Sequence, residues 1–160
     1  MADSGDIPAG LRAPDDCGEA SIVTRLEDGR AICIRPVTPG DEGRLRAGIA
    51  AMRPDAGDAV AEFSVGVVDA YHGLGVGRLL TATLLIDAAA GRMEALRAHV
   101  LSENDAARSF IKRLGGVHVG QDGPQAEYRL EVAHALDRLR EERHPPGVSD
   151  IFAHFDGPAG

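Results

Sequence analysis

Tyr71-His72-Gly73-Leu74-Gly75-Val76-Gly77-Arg78-Leu79-Leu80 is the stretch on which the fold turns. Three glycines stand at alternate positions. An apolar, β-branched run, Phe63 to Val68, precedes them, and a helix-period run, Leu79 to Ala90, follows. The order is strand, glycine loop, helix start. Such a loop leaves backbone N–H groups at a helix N-terminus, where donors and dipole together favour an anion, most often phosphate. Glycine suits the loop because a Cβ would block both the turn and the close approach of a phosphate.

Three phosphate loops compete for this pattern. A Walker loop ends in Gly-Lys-Ser/Thr, and here Leu79 and Leu80 stand near those positions. A dinucleotide fingerprint needs Gly-x-Gly-x-x-Gly. Counting from Gly73 its last position is Arg78, and counting from Gly75 it is Leu80. Glu94, at about the spacing of the acidic ribose partner, precedes the next strand instead of ending it, so this reading fails too. The third is the acyl-coenzyme A loop, Gln/Arg-x-x-Gly-x-Gly/Ala, which aligns with His72-Gly73-Leu74-Gly75-Val76-Gly77. From the loop alone, a glycine turn without a ligand stays open.

Outward from the loop, the chain reads as one domain. Its 160 residues are enough for a core, and 44 % hydrophobic residues are ordinary for a globular protein. A net charge of -8 argues against broad nucleic-acid binding. No apolar run is long enough to span a membrane, and the N-terminus lacks the pattern of a signal peptide. The two cysteines, Cys17 and Cys33, fit reduced thiols of a cytoplasmic protein better than a disulfide framework.

Residues 1–20, rich in Asp, Gly, Pro and Ala, read as a flexible acidic tail. Ile22 to Leu26 and Ala31 to Val37 flank Asp28-Gly29, a hairpin signal. Thr38, Pro39 and Asp41 suit a helix start, and Leu45, Ile49 and Met52 form one apolar stripe that Arg53-Pro54 would end. Val60 to Val68 reads as a strand with Phe63, Val65 and Val67 on one face and Glu62, Ser64, Gly66 and Val68 on the other. A carboxylate in a central strand, Glu62, must be paired, hydrated or functional.

After the loop, Leu80, Leu84 and Ala88 line a helix face beside Leu85. Leu96, Ala98 and Val100 mark the next strand. Either Ser102 or Asn104 caps a helix striped by Ala107, Phe110, Ile111 and Leu114, which Gly115-Gly116 ends. Residues 117–120 and 126–132 pair across Gln121 to Pro124, and a short helix near 133–143 precedes a tail. His99 and His118 lack any spacing that would suggest a metal site.

The combination resembles the GNAT superfamily of acyl-coenzyme A-dependent N-acyltransferases over roughly Ser21 to Val132. Ile34-Arg35-Pro36-Val37 with Asp41 is similar to the family's first strand and helix, and Glu62 to Asp69 to its fourth strand. His72 to Gly77 matches its pyrophosphate loop. Asn104, Ala107, Leu114 and Gly115 match its Asn-x-x-Ala … Leu-Gly helix. Asp28-Gly29, Ile34-Arg35-Pro36 and Ala61-Glu62-Phe63 further resemble bacterial protein lysine acetyltransferases. The implied fold is α/β (α+β), a single domain over residues 21–132 with a mixed sheet flanked by helices, followed by a C-terminal helix and tail over 133–160.

The resemblance implies roles. Acetyl-coenzyme A would be the acyl donor, with no metal. Val67, Val68 and Asp69 would line its pantetheine arm through backbone groups. His72, Gly73, Leu74, Gly75, Val76, Gly77 and Arg78 would present amides to the pyrophosphate, and Asn104 would reach the pantetheine side. Glu62 would be the general base for a primary amine, its pKa raised by burial in the sheet. A plain ion pair between Glu62 and an arginine, and a plain cap at Asn104, stand as the structural alternatives.

Three departures from the family shape the expectations. His72 replaces the usual glutamine or arginine. Ile111 replaces a tyrosine acid. Only residues 54–61 fill an interval where the family has a hairpin, which needs roughly 12–16 residues. The sheet should therefore lack one central hairpin, Ala31 to Val37 should pair with, or lie against, Val60 to Val67 in a shortened sheet, and the amine site should be wide enough for a protein lysine. A homodimer closing the remaining edge fits, with no nucleic acid or membrane partner. The alternative function is a non-catalytic acyl-coenzyme A-binding domain that senses or scaffolds.

Overall fold

The computed structural model describes residues 21–36, 48–54, 59–67, 72–142 and 146–156. The expected acidic tail, the helix start at Thr38 to Asp41, Leu45, Val68 and Asp69 lie outside these. The described residues divide between two compact units. One holds the first hairpin, the glycine loop with the start of the next helix, and the C-terminal helix. The other holds most of the large sheet and the remaining helices.

In the first unit, β1 (Ile22–Arg25) and β2 (Ala31–Ile34) form an antiparallel pair with Ile22 opposite Ile34 and Arg25 opposite Ala31. Gly29 takes φ 86°, and its N–H donates to the Leu26 carbonyl at 3.0 Å. The Asp28-Gly29 signal therefore forms the turn it predicts. The segment after Pro146, read as a tail, contains a helix, α4 (Gly147–Asp156), packed on β1 through buried Val148, Ile151 and Phe152. A Cβ on Gly147 would overlap the Arg25 carbonyl and Thr24 Oγ1, so this close approach requires glycine. Cys33 on β2 is disulfide-bonded, which corrects the expectation of reduced thiols. Spacing along a chain says nothing of the distance between two sulfurs in the fold.

The five-stranded sheet has the order β3-β4-β5-β7-β6. Its strands are β3 (Gly48–Pro54), β4 (Val60–Val67), β5 (Ala95–Leu101), β6 (Val117–Asp122) and β7 (Gln125–Glu131). β4 and β5 are parallel, and β7 is antiparallel to both β5 and β6. This is the mixed α/β architecture expected. Two details are corrected. Residues 48–54, read as the end of a helix, form β3. Pairing with the exposed edge of β4 outweighs the weak local propensity of Gly48 to Arg53. β2 does not lie in the sheet with β4; it pairs with β1, and β3 takes the place beside β4. Among the described residues, one strand stands in the interval where the family places a hairpin.

Alternation sorts the sheet into two faces. Ala61 and Phe63, Leu96, Ala98 and Val100, and Ala126, Tyr128 and Leu130 are buried on one. Glu62 and Ser64, Arg97 and His99, and Glu127, Arg129 and Glu131 stand on the other. α1 (Val76–Ala90) buries Leu79, Ala82, Leu85 and Ala88. The stripe was expected at Leu80 and Leu84, but leucines at 79, 80, 84 and 85 leave its angular position undetermined by pattern alone.

α2 (Asp105–Arg113) starts on Asn104, whose Oδ1 accepts the Ala107 N–H at 3.1 Å. It ends in a Schellman motif: Gly116 N–H donates to the Ile111 carbonyl at 2.9 Å and Gly115 N–H to Lys112 at 3.0 Å. α3 (Val132–Glu141) buries Val132, Ala135 and Leu139.

Candidate functional site

In the hairpin unit, the loop from His72 leads into α1 at Val76. Gly73 and Gly75 have φ 77° and 87°, a region that side-chain-bearing residues rarely enter. The Gly75 carbonyl accepts the Leu79 N–H at 3.1 Å, so the helix ladder begins there. Residues 76–78 form the first turn of α1, whose amides face the helix N-terminus. A Cβ on Gly73 would meet no atom of the described residues within 4 Å. Two positive-φ glycines running into a helix N-terminus fit a phosphate group.

Contacts among the described residues hold the loop. His72 Nε2 lies 3.0 Å from the Val67 carbonyl oxygen at the end of β4. A carbonyl only accepts, so Nε2 carries the proton in this bond. The Leu74 carbonyl accepts the Glu27 N–H, on the β1–β2 turn, at 2.9 Å. Sequence reasoning missed this second contact, because nothing in a turn motif names what its outer amides bind.

In the sheet unit, β4 and β5 pair in parallel from Val60 with Ala95 to Phe63 with Ala98. The pairing stops there, although β4 continues to Val67 and β5 to Leu101. The two strands therefore part immediately beyond Glu62 and Phe63. Backbone groups of β4 that would face β5 are no longer used by it, and such a splay can take an extended amide-bearing chain.

Glu62 stands beside this splay, with Arg97 of β5 opposite it in register. Its carboxylate is 39 % exposed, and Oε2 lies 3.8 Å from Arg53 Nη2. The expected burial does not occur, because Glu62 points to the polar face of the sheet. Arg97 and Glu127 lie 3.8 Å apart on that face, and Arg129 bonds Glu131 at 3.1 Å. Arg53 was read as a helix end, so its approach to Glu62 was not legible. The alternation of Arg97 and His99 with buried Leu96, Ala98 and Val100 was a usable signal for a wetted face.

Asn104 is the cap of α2; its Oδ1 is used for this, and its amide NH₂ is the group left for a ligand. Ile111, at the position of the family's tyrosine, is buried core and touches the Gly116 region. The buried tyrosine is Tyr128 on β7, whose hydroxyl accepts from Arg108 Nε at 3.1 Å. Arg108 also donates to the Ser102 carbonyl at 2.9 Å, tying α2 to the end of β5.

The model of the Acetyltransferase (GNAT) family matches residues 16–116, more than half of the chain, and the protein belongs to that family. Family members use acetyl-coenzyme A to acylate an amine. Among solved structures, a variant of the cAMP-binding acyltransferase from Mycobacterium smegmatis is similar at TM-score 0.63 and 20 % identity, over 86 % of this chain and 54 % of that one. PaiA N-acetyltransferase from Thermoplasma acidophilum, in complex with coenzyme A, is similar at 0.49 and 17 %, over 53 % of each chain. Ribosomal-protein-alanine N-acetyltransferase from Brucella melitensis is similar at 0.47 and 24 %, over 53 % of this chain and 61 % of that one. The chain thus spans about half to three fifths of these structures, and the first likeness bears on the fold. No curated protein matches the sequence. No helix among the described residues is long and apolar enough to cross a membrane.

Proposed function

We propose that the protein transfers an acetyl group from acetyl-coenzyme A to a primary amine carried on a protein or peptide, such as a lysine. The observation that carries this reading is the parting of β4 from β5 beyond Phe63, on the strand that leads into the glycine loop. The pyrophosphate is assigned to the amides of residues 73–78. The pantetheine arm is assigned to the backbone of Val67, Val68 and Asp69, with Asn104 toward the thiol side. The thioester supplies an activated acyl group with a good leaving thiolate.

Glu62 accepts the proton that the ammonium must lose before its nitrogen can attack the thioester carbonyl. The C–N bond forms, the nitrogen gives up its second proton to water, the C–S bond breaks, and the leaving thiolate takes a proton from water, since Ile111 supplies none. The polar, ion-laced face around Glu62 supports an acceptor presented on a larger molecule over a small apolar amine. Acetyl-coenzyme A as donor supports a cytoplasmic location, and the bonded Cys33 speaks against it.

Calorimetry with acetyl-coenzyme A on wild type and Gly75→Val tests the donor assignment. The variant's side chain enters the phosphate space, and affinity should fall at least tenfold, about 1.4 kcal/mol. Equal affinity would overturn the assignment. His72→Ala should change affinity much less. A second reading, a coenzyme-binding domain without turnover, is favoured by one observation: Arg53 Nη2 lies 3.8 Å from Glu62 Oε2, as in a plain surface ion pair.

A further inference from the structure

The glycine loop is not oriented by its own bonds alone. The Leu74 carbonyl is fixed by the Glu27 N–H at 2.9 Å. The peptide between Leu74 and Gly75 is planar and trans, so its carbonyl and its N–H point in opposite directions. Holding the Leu74 carbonyl toward the hairpin therefore aims the Gly75 N–H away from it. We propose that Glu27 is a positioning residue for coenzyme binding, acting through its backbone N–H on the Leu74–Gly75 peptide, with α4 holding the turn that carries it.

The turn is built to be stiff. Leu26 N–H donates to the Arg30 carbonyl at 2.9 Å, and the Gly29 N–H closes on Leu26 at 3.0 Å. Asp28 accepts from the Arg30 N–H at 3.1 Å and from Arg30 Nε at 2.7 Å. Behind the turn, Leu26 is fully buried. Thr24 Oγ1, also buried, donates to the Gly147 carbonyl at 2.7 Å. Arg25 forms a two-pronged pair with Asp150 at 2.8 and 2.9 Å. A continuous set of bonds thus runs from α4 through β1 to the loop. α4 lies outside residues 16–116, so this support is an addition to the part of the chain that the family model matches.

The inference rests on reading the loop as the pyrophosphate site, and the test separates the two. Glu27 is the second residue of the turn from Leu26 to Gly29, the position where proline is best tolerated. Glu27→Pro therefore deletes the donor with little change to the turn, and Glu27→Ala keeps it. Calorimetry with coenzyme A should show Glu27→Pro at least tenfold weaker than Glu27→Ala, with both melting near the wild-type temperature. Glu27→Pro within twofold, while Gly75→Val still loses binding, would overturn the positioning role and leave the loop assignment standing. A wild type that does not bind, or a Gly75→Val variant that binds normally, would remove the loop assignment and this proposal with it. Should Glu27→Pro lose its melting transition, hydrogen exchange on the wild type decides. Coenzyme A should slow exchange of the Glu27 amide, and unchanged exchange there would overturn the proposal.

Discussion

At the scale of single residues, the proposed chemistry rests on Glu62 and the shape on several glycines. Glu62→Gln keeps the size of the side chain and removes its basicity. Turnover should fall by about 10²–10⁴ while coenzyme affinity is kept. Unchanged turnover at neutral pH would make Glu62 a partner of Arg53 and nothing more. Gly115 differs from Gly77 in an informative way. At Gly115 φ is 88° and a Cβ would collide with the His134 ring, whereas at Gly77 the nearest atom among the described residues is Val67 Cγ2 at an ordinary 3.8 Å. Gly115→Ala should lower stability by more than the roughly 1–2 kcal/mol of left-handed strain. Gly77→Ala should be neutral or slightly stabilising in urea melts, since alanine suits a helix better.

At the scale of elements, the hairpin and α4 act as one piece. The Asp150 side chain is only 8 % exposed, so Arg25→Ala would leave a carboxylate in near-complete burial without its partner. A loss of about 1.5–3 kcal/mol is expected, most of it recovered when Asp150→Ala is added; a fully additive double variant would refute the coupling. The turn has its own pH signature. Hydrogen bonds from Arg30, first its backbone N–H and then its side chain, hold the Asp28 carboxyl below its usual range. A depressed folded-state value stabilises the turn above the ordinary aspartate range and loses that effect as pH falls through the lower value. Asp28→Ala should therefore melt earlier than wild type near neutral pH and converge with it in strong acid. These elements also show what the sequence can and cannot tell. Asp28-Gly29, the Asn104 cap and the Gly115-Gly116 stop were legible because each is a local rule met by local residues. β3 was not, because its pairing with β4 is a long-range fact that local helix preference contradicts. α4 was hidden for a related reason: its buried face exists only against β1.

At the scale of the whole molecule, membership of the GNAT acetyltransferase family rests on the order of its parts. The loop pattern and the strand before it were legible with no structure, and the parting of β4 and β5 added the place for an extended chain. The exposure of Glu62 was legible only in part: the alternation of Arg97 and His99 with Leu96, Ala98 and Val100 marks a wetted face on β5, but the register that sets Glu62 opposite Arg97 is a long-range fact. That exposure is what turns the proposal toward acceptors carried on proteins and peptides. The central claim is acyl transfer to an amine, and its most direct measurement is thiol release from acetyl-coenzyme A with a panel of small amines, lysine peptides and lysine-bearing proteins. The account predicts release that depends on the amine, is faster with peptides or proteins than with small amines, and is lost in Glu62→Gln. Tight coenzyme binding with no amine-dependent release from any acceptor would contradict it and leave a binding domain in its place.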